Sequence, residues 1–387
     1  MSSNPPSIRS IARGAVVATV AAATCLAATA SPGMETTAKQ AYIVDLQTGT
    51  VLLEKDIATP TPPASLSKLM TLYMVFEQLK QGKLSLDDKF VVSRKAWRMG
   101  GSKMFVEVDK RVRVEDLVRG IVVQSGNDAC IVVAEALSGS ESAFADAMNR
   151  RARELGLTDS NFVNSTGWPA DNHVMSPRDL AALTKRIIEE FPEYYPYFAE
   201  KSFRYNKIKQ GNRNPLLYRD TGADGLKTGH TRASGYGLVA SAVRDGRRVV
   251  LVLTGLRSAR TRSFEARRLL DWAYQSFRNY DLFESGAVVE NADVWLGEEE
   301  TVPLVTERDV RISLPRASRR GLKAKVVYEG PVPAPIAKGT KIASLVVTAP
   351  DFKTLEVPLV AGADVDRTGV FGRLGAAISY MVWGAER

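Results

Sequence analysis

Pro63-Ala64-Ser65-Leu66-Ser67-Lys68-Leu69-Met70-Thr71 decides how the rest of the chain is read. Leu66, Leu69, Met70, Tyr73, Phe76 and Leu79 recur at helical spacing, Gly82 supplies a stop, and Pro60-Thr61-Pro62-Pro63 resets the chain just before. The spacing predicts a helix beginning at Ser65, with Ser65 at its N-cap. Ser65 and Lys68, three residues apart, then share one face of that helix, whose positive end favours negative charge developing at Ser65. A serine hydroxyl is a poor nucleophile until a base takes its proton, and a lysine of reference pKa about 10.4 must shift toward about 7 to serve. Neighbouring cations do this, and Lys227 is the candidate.

Outward from this segment, Ala41-Tyr42-Ile43-Val44-Asp45-Leu46 and Val51-Leu52-Leu53-Glu54 flank Gln47-Thr48-Gly49-Thr50 and read as two strands on a short turn. Helices are expected over 114–123, over 128–137 with Gly139 as stop, over 142–155 with Gly156 as stop, and over 176–190. Residues 235–243 and 248–254, joined by Asp245-Gly246, read as an antiparallel hairpin, followed by a helical pattern over 263–277. Strands, a helical block, then strands and a helix make an α+β domain, placed at 38–279. Beyond it the runs Val288-Val289, Val310-Arg311-Ile312, Val326-Val327-Tyr328, 342–347 and 355–360, broken by Pro and Gly, predict a small all-β domain over 280–365. In 366–387, Phe371, Leu374, Ile378, Met381 and Val382 return to helical spacing and predict an amphipathic helix; a helix docked on the β-domain has the same pattern.

Arg9 and Arg13, the uncharged run from Gly14 to Leu26, and Ala28-Thr29-Ala30 before Ser31-Pro32 predict a secretory signal over 1–30, cleaved after Ala30; the alternative is a membrane anchor that stays attached, against which the Ala-rich run is weak for a span of about 20 residues. Cys25 leaves with it, so the mature chain keeps only Cys130 and no internal disulfide is expected. Cys130 lies in the apolar run Ala129-Cys130-Ile131-Val132-Val133-Ala134 and is read as core packing. With two histidines and no H-E-x-x-H or C-x-x-C spacing, neither a metal nor another cofactor is expected. A formal net charge of +9 suits an anionic partner; export and the lack of a basic aromatic cluster argue against nucleic acid.

Three short motifs occur in order: Ser65-Leu66-Ser67-Lys68, Ser125-Gly126-Asn127 and Lys227-Thr228-Gly229. S-x-x-K or S-x-N alone arises by chance about once in a chain of this length, and K-T-G in about one such chain in ten, so the ordering carries the signal. Ser125 and Asn127 fall between two helical patterns, where a loop projects side chains into a cleft or simply caps a helix. Lys227-Thr228-Gly229 opens the strand region, where a strand edge aligns a peptide by backbone hydrogen bonds and Gly229 permits close approach.

The set resembles that of class A β-lactamases and penicillin-binding proteins, with Gly126 in place of the usual Asp. Longer strings are similar to those of the low-molecular-mass penicillin-binding proteins that act as D-alanyl-D-alanine carboxypeptidases: Pro63 to Thr71, Gln124-Ser125-Gly126-Asn127-Asp128-Ala129, Asn164-Ser165-Thr166-Gly167-Trp168-Pro169, and Ser234-Gly235-Tyr236 through Ser241-Ala242. The resemblance spans nearly the whole mature chain. It implies a catalytic domain of penicillin-binding-protein fold, a C-terminal β-domain and a terminal helix that anchors peripherally to an anionic membrane surface, on the periplasmic face. It further implies that Ser65 attacks the carbonyl of the penultimate D-alanine of a peptidoglycan stem pentapeptide, with Lys68 as base and Ser125 as proton relay. Asn127 lines the site, and Lys227, Thr228 and Arg262 hold the terminal carboxylate. The oxyanion hole would use the backbone N–H groups of Ser65 and His230, beside Gly229, and β-lactam antibiotics would acylate the same serine. The run Trp97 to Ser102 resembles a loop near the family's active site, and His173 is placed near the cleft without a chemical step.

A β-lactamase shares the acylation residues but needs rapid deacylation, which in class A uses a further glutamate; no ExxLN-type glutamate lies between Asn127 and Lys227. A murein endopeptidase cuts a neighbouring bond with the same machinery. A noncatalytic binder of the same fold needs only shape, yet all three motifs keep their reactive side chains. Sequence leaves the oligomeric state open.

Overall fold

The computed structural model describes residues 34–369. The expected signal over 1–30 and the helical pattern from Phe371 onward lie outside the described residues. Within them the chain divides between Arg278 and Asn279 into two compact units.

The first unit opens with the expected hairpin, Gln40–Asp45 (β1) and Val51–Lys55 (β2). The helix predicted from Ser65 starts later. Ala64–Ser67 is a 3-10 turn and the α-helix is Lys68–Lys80 (α1). Ser65 therefore sits inside a tight turn and is not an N-cap. In this turn Ala64 takes a positive φ of 50° and the Ser67 hydroxyl donates to Ala64 O at 3.0 Å, and the chain is wound more tightly than in an α-turn.

Next come Lys89–Val91 (β3), Arg94–Arg98 (α2), Arg111–Arg113 (β4), Val114–Val122 (α3), Asn127–Ser138 (α4), Glu141–Glu154 (α5) and Pro177–Glu190 (α6). Their limits follow capping chemistry. Ser140 Oγ accepts from Ala143 N, Ser176 Oγ from Asp179 N with Pro177 in the first turn, and Gly139 takes the left-handed conformation that closes α4. The unit ends with Ser202–Tyr205 (β5), Ile208–Gly211 (β6), Ala223–Thr231 (β7), Gly235–Arg244 (β8), Arg247–Leu256 (β9) and Ala259–Ser276 (α7). Asp245 and Gly246, both at positive φ, make the turn between β8 and β9. Helix α7 begins four residues ahead of the predicted 263, because Ser258 Oγ accepts the Thr261 N–H and caps it there.

The five-stranded antiparallel sheet has the order β2-β1-β9-β8-β7. Both faces are buried. On one, Val250, Val252 and Val239 join the core beneath α1 and α3 to α6; on the other, Leu251, Leu253 and Leu238 pack with Ala266, Leu269 and Leu270 of α7. Burial on both faces is why 249–253 reads as an unbroken apolar run instead of alternating. The order leaves β7, which carries Lys227-Thr228-Gly229, at an edge of the sheet beside the turn that holds Ser65.

The second unit contains Phe277–Phe283 (β10), whose first two residues belong to the first unit, then Val288–Trp295 (β11), Thr301–Thr306 (β12), Val310–Pro315 (β13), Lys323–Tyr328 (β14), Val332–Pro333 (β15), Lys341–Ala349 (β16) and Phe352–Ala361 (β17). Strands β10 and β13 pair; the others form a six-stranded sheet ordered β14-β16-β17-β12-β11-β15. Leu304, Ile312, Leu314, Leu345, Val347 and Leu359 fill its core. This is the all-β domain the sequence predicted; of β10 only Phe277 falls in the predicted helical pattern, and β12 and β15 match no predicted strand. At its far end Arg367 bridges to Gly297 and the Thr368 hydroxyl donates to Gly297 O, so 366–369 is extended. Among the described residues no helix is long and apolar enough to cross a membrane.

Candidate active site

The turn that carries Ser65 is clamped from two sides by glycines. A Cβ at Gly167, which has φ +78°, would lie 1.9 Å from Ala64 O, and one at Gly229 would lie 3.0 Å from Pro63 O and from Leu66 Cγ. Both positions bring backbone against the turn; the close approach at Gly229 is to this turn, where the sequence reading expected a peptide substrate. Ser65 itself keeps partial exposure and opens into a cleft of about 280 Å³ whose walls include Asn127, Gly167, Trp168 and His230.

Lys68 is fully buried one helical turn away. Its Nζ donates to Ser65 Oγ at 2.9 Å, to Asn127 Oδ1 at 2.7 Å and to the carbonyl of Thr166. Burial lowers its pKa to about 8, opposed by nearby Cys130 and helped by Arg213. The sequence reading assigned the shift to neighbouring cations and to Lys227; loss of water is the larger cause.

Ser125 lies in the loop before α4 at φ +58°, and Asn127 is the first residue of that helix. Asn127 Nδ2 donates to Gly100 O at 2.9 Å, which fixes its Oδ1 toward Lys68. Asn127 thus braces the lysine as well as lining the cleft. Gly126, the departure from the usual Asp, has a steric cause: a Cβ there would lie 2.9 Å from Asp128 Oδ1 and 3.2 Å from Met104 N. The Asp128 carboxylate is buried and accepts the N–H groups of Met104, Phe105, Val106 and Ala129.

From β7, Lys227 Nζ donates to Ser125 Oγ at 2.9 Å and to Thr228 O at 3.2 Å. It is buried, and burial followed by repulsion from Lys68 and Arg213 holds its pKa well below the usual lysine range. Thr228 is buried beside it, whereas His230 is exposed and stacks on Tyr236, its cross-strand partner, with ring centroids 3.8 Å apart.

A serine, a buried lysine with a lowered pKa, a second serine and a second lysine, each paired by hydrogen bonds, form the geometry of an acyl-transfer site. The family profile described as D-alanyl-D-alanine carboxypeptidase matches residues 26–258, and that described as penicillin-binding protein 5, C-terminal domain, matches 277–367. The chain belongs to the D-alanyl-D-alanine carboxypeptidase family. The D-alanyl-D-alanine carboxypeptidase DacD of Salmonella typhimurium is 38% identical over 86% of this chain and 87% of its own. Penicillin-binding protein 5 of Haemophilus influenzae superposes with a TM-score of 0.79 at 35% identity, covering 86% of this chain and 98% of its own. Penicillin-binding protein D2 of Listeria monocytogenes, solved in its ampicillin-bound form, is similar over 62% of this chain and 98% of its own, at 29% identity and a TM-score of 0.57.

In this family member the structure brings Ser65, Lys68, Asn127 and Thr166 together, and joins Lys227 to Ser125. Arg262, in the first turn of α7, is buried; its guanidinium stands 5.8 Å from the Tyr236 ring and its Nη2 donates to Arg213 O at 3.4 Å. Burial and then Arg213, against the pull of Tyr236, lower its pKa, and its own charge in turn lowers that of Lys227. Arg213 is the residue sequence reading missed. Its Nη1 donates to Ser102 Oγ at 2.7 Å, and its charge depresses both Lys68 and Lys227. It sits in Asn212-Arg213-Asn214 outside every motif, so no local signal marks it.

Two residues behave as packing. Cys130 is buried, which pushes its thiol up to about 12, and His173 Nδ1 accepts the Val163 N–H at 3.1 Å while burial holds its ring neutral, with a pKa of about 4. The run from Trp97 to Ser102 borders the site as expected, through Gly100 O on Asn127 and Ser102 O on the Asn127 N–H.

Proposed function

We propose that this carboxypeptidase removes the terminal D-alanine of a peptidoglycan stem pentapeptide through an acyl-enzyme on Ser65. The observation that carries the reading is the hydrogen bonding of Lys68. A neutral amine has two N–H bonds and one lone pair. Asn127 Oδ1 and the Thr166 carbonyl can only accept, so they take the two N–H bonds and leave the lone pair facing Ser65 Oγ. With a pKa of about 8 that neutral form is accessible near physiological pH.

Ser65 Oγ bonds to the carbonyl carbon of the penultimate D-alanine as its proton passes to Lys68 Nζ. The tetrahedral oxyanion is held by the backbone N–H groups of Ser65 and His230. The C–N bond then breaks, and the departing D-alanine nitrogen takes a proton from Ser125, which accepts from Lys227 and so keeps its own O–H free to donate; the proton that Lys68 took from Ser65 replaces the one Ser125 gave, so Lys68 is neutral again. Lys227, Thr228, Arg262 and Arg213 hold the carboxylate of the leaving residue. Water, deprotonated by Lys68, attacks the ester, and as the bond to Ser65 Oγ breaks Lys68 returns that proton to Ser65 Oγ, freeing the shortened peptide and the serine hydroxyl. A β-lactam acylates Ser65 by the same attack, the ring amide being the bond that opens.

The site works in an exported protein of four segments: a signal over 1–30, the catalytic domain over 38–279, the β-domain over 280–365, and a terminal segment over 366–387. The basic, amphipathic pattern of the last supports peripheral attachment to anionic lipid on the periplasmic face of the cytoplasmic membrane.

Mass spectrometry of the protein and its Ser65→Ala variant tests the reading, after exposure to penicillin and, separately, to a peptide ending in D-Ala-D-Ala. Penicilloyl mass on Ser65 and released D-alanine, both lost in the variant, are expected. Failure of the wild type to do either would sink the proposal, and rapid turnover of penicillin would make the protein a β-lactamase.

A further inference from the structure

Trp168 stands in the cleft beside Ser65 with 47% of its surface open. Its backbone is fixed. The Trp168 N–H donates to Asn164 Oδ1 (3.1 Å) and Thr166 Oγ1 (3.0 Å), and its carbonyl accepts from Asn164 Nδ2 (2.9 Å). The indole rests on glycine backbone: a Cβ on Gly101 would lie 2.9 Å from Trp168 Cζ3, and one on Gly100 would lie 3.6 Å from its Cη2. The ring therefore cannot sink, and its open surface belongs to the cleft wall. A rigid aromatic face left uncovered beside a nucleophile is surface that a ligand can bury at little entropic cost.

The end of the substrate it meets follows from charge. The buried cations Lys227 and Arg262 suit a carboxylate and do not line the cleft, whose walls include Ser65, Trp168, Pro169, His230 and Thr231. A peptide with its scissile carbonyl at Ser65 and its carboxylate at Lys227 runs its N-terminal side past His230 and Thr231 toward the indole.

We propose that Trp168 is a specificity-determining residue, a platform for the aliphatic side chain of the residue preceding D-alanyl-D-alanine. The proposal rests on the placement of the nucleophile and the carboxylate under the proposed function. An uncharged ring contacts the methylene groups of such a side chain, so it favours a long aliphatic residue over glycine at that place.

The test compares kcat/KM for D-alanine release from diacetyl-L-lysyl-D-Ala-D-Ala and from acetylglycyl-D-Ala-D-Ala, in the wild type, Trp168→Ala and Trp168→Phe. The lysyl-to-glycyl ratio is expected to fall about five- to tenfold in Trp168→Ala and to recover most of that loss in Trp168→Phe. A ratio within about twofold of wild type in Trp168→Ala overturns the platform, including the case where both rates drop together as a displaced Gly100-Gly101 segment would cause. Wild type that releases no D-alanine from either peptide, yet carries penicillin on Ser65, overturns the peptidase reading and the platform with it.

Discussion

The α-carbon of Gly167 sits so close to the turn bearing Ser65 that an added Cβ would lie 1.9 Å from the carbonyl oxygen of Ala64. Neither partner can yield, since both are backbone and Gly167 holds a positive φ of 78° that other residues rarely adopt. Gly167→Ala is thus expected to displace the turn and to misplace Thr166 O, an acceptor of Lys68. The loss should be about 2–4 kcal/mol in stability. Penicillin acylation should slow by about 100-fold or more, since small misplacements at a reacting centre cost that much. Urea unfolding and stopped-flow acylation measure the two effects; a variant acylated at the wild-type rate would show that the contact is not part of the site's geometry.

Protonation of Lys68 sets a pH dependence whose sign is fixed. Below a pKa of about 8 the amine is charged and has no lone pair for the Ser65 proton, so acylation should rise with pH, with a midpoint near 8, and then level off. Lys68→Arg should abolish acylation at every accessible pH, because a guanidinium stays protonated. Folding stability follows the same shift. The folded value lies below the 10.5 of the unfolded chain, so between about 8 and 10.5 the unfolded state binds more protons and stability increases with pH. Lys227, also lowered, adds to the trend in the same direction. A flat acylation profile from pH 6 to 9 would remove Lys68 as the base.

Much of this was legible in the chain before its fold was known. Periodicity and caps located α3 to α6 to within a residue or two, since Ser140, Ser176, Gly139 and Gly156 are local signals acting on local structure. The ordered motifs marked Ser65, Lys68, Ser125, Asn127 and Lys227. What escaped was set by tertiary contact. The 3-10 turn at Ser65 packs against the backbone of Gly167 and Gly229, and nothing in residues 64–67 alone announces that. Arg213 enters the site through a loop with no motif, and the main cause of the Lys68 shift is burial, which a sequence does not display. Gly126 looked like a lapse from the usual pattern and is the residue that lets Asp128 and Met104 approach.

Asp128 should matter although it touches no substrate. Its carboxylate ties Met104, Phe105 and Val106 to the start of α4, and Ser102, just before them, accepts the Asn127 N–H through its carbonyl at 2.8 Å. An amide in its place offers one acceptor oxygen and turns an NH₂ group on N–H donors. Asp128→Asn is expected to destabilise the protein by about 2–3 kcal/mol and to slow acylation by loosening Asn127, with penicillin still attached at Ser65 at the end of the reaction. Thermal unfolding and labelling time courses test this. Wild-type stability would mean that the loop is held by other contacts.

Arg262 and Arg213 should act on the carboxylate and not on the reacting carbonyl. Arg262 is buried, its Nε has no hydrogen-bond partner among the described residues, and its pKa is lowered by burial and by Arg213, so a carboxylate arriving there gains donors and relieves repulsion. Charge-assisted hydrogen bonds of this kind contribute about 1.5–3 kcal/mol, or roughly 10- to 100-fold in kcat/KM. Arg262→Ala and Arg213→Ala should each lose that much on peptides with a free terminal carboxylate, and much less on an ester or amide of the same peptide. Arg262→Lys should recover only part, since an ammonium cannot make the paired contacts of a guanidinium. Equal losses on the free and blocked peptides would assign both arginines to support of the fold, and would leave Lys227 and Thr228 as the carboxylate site.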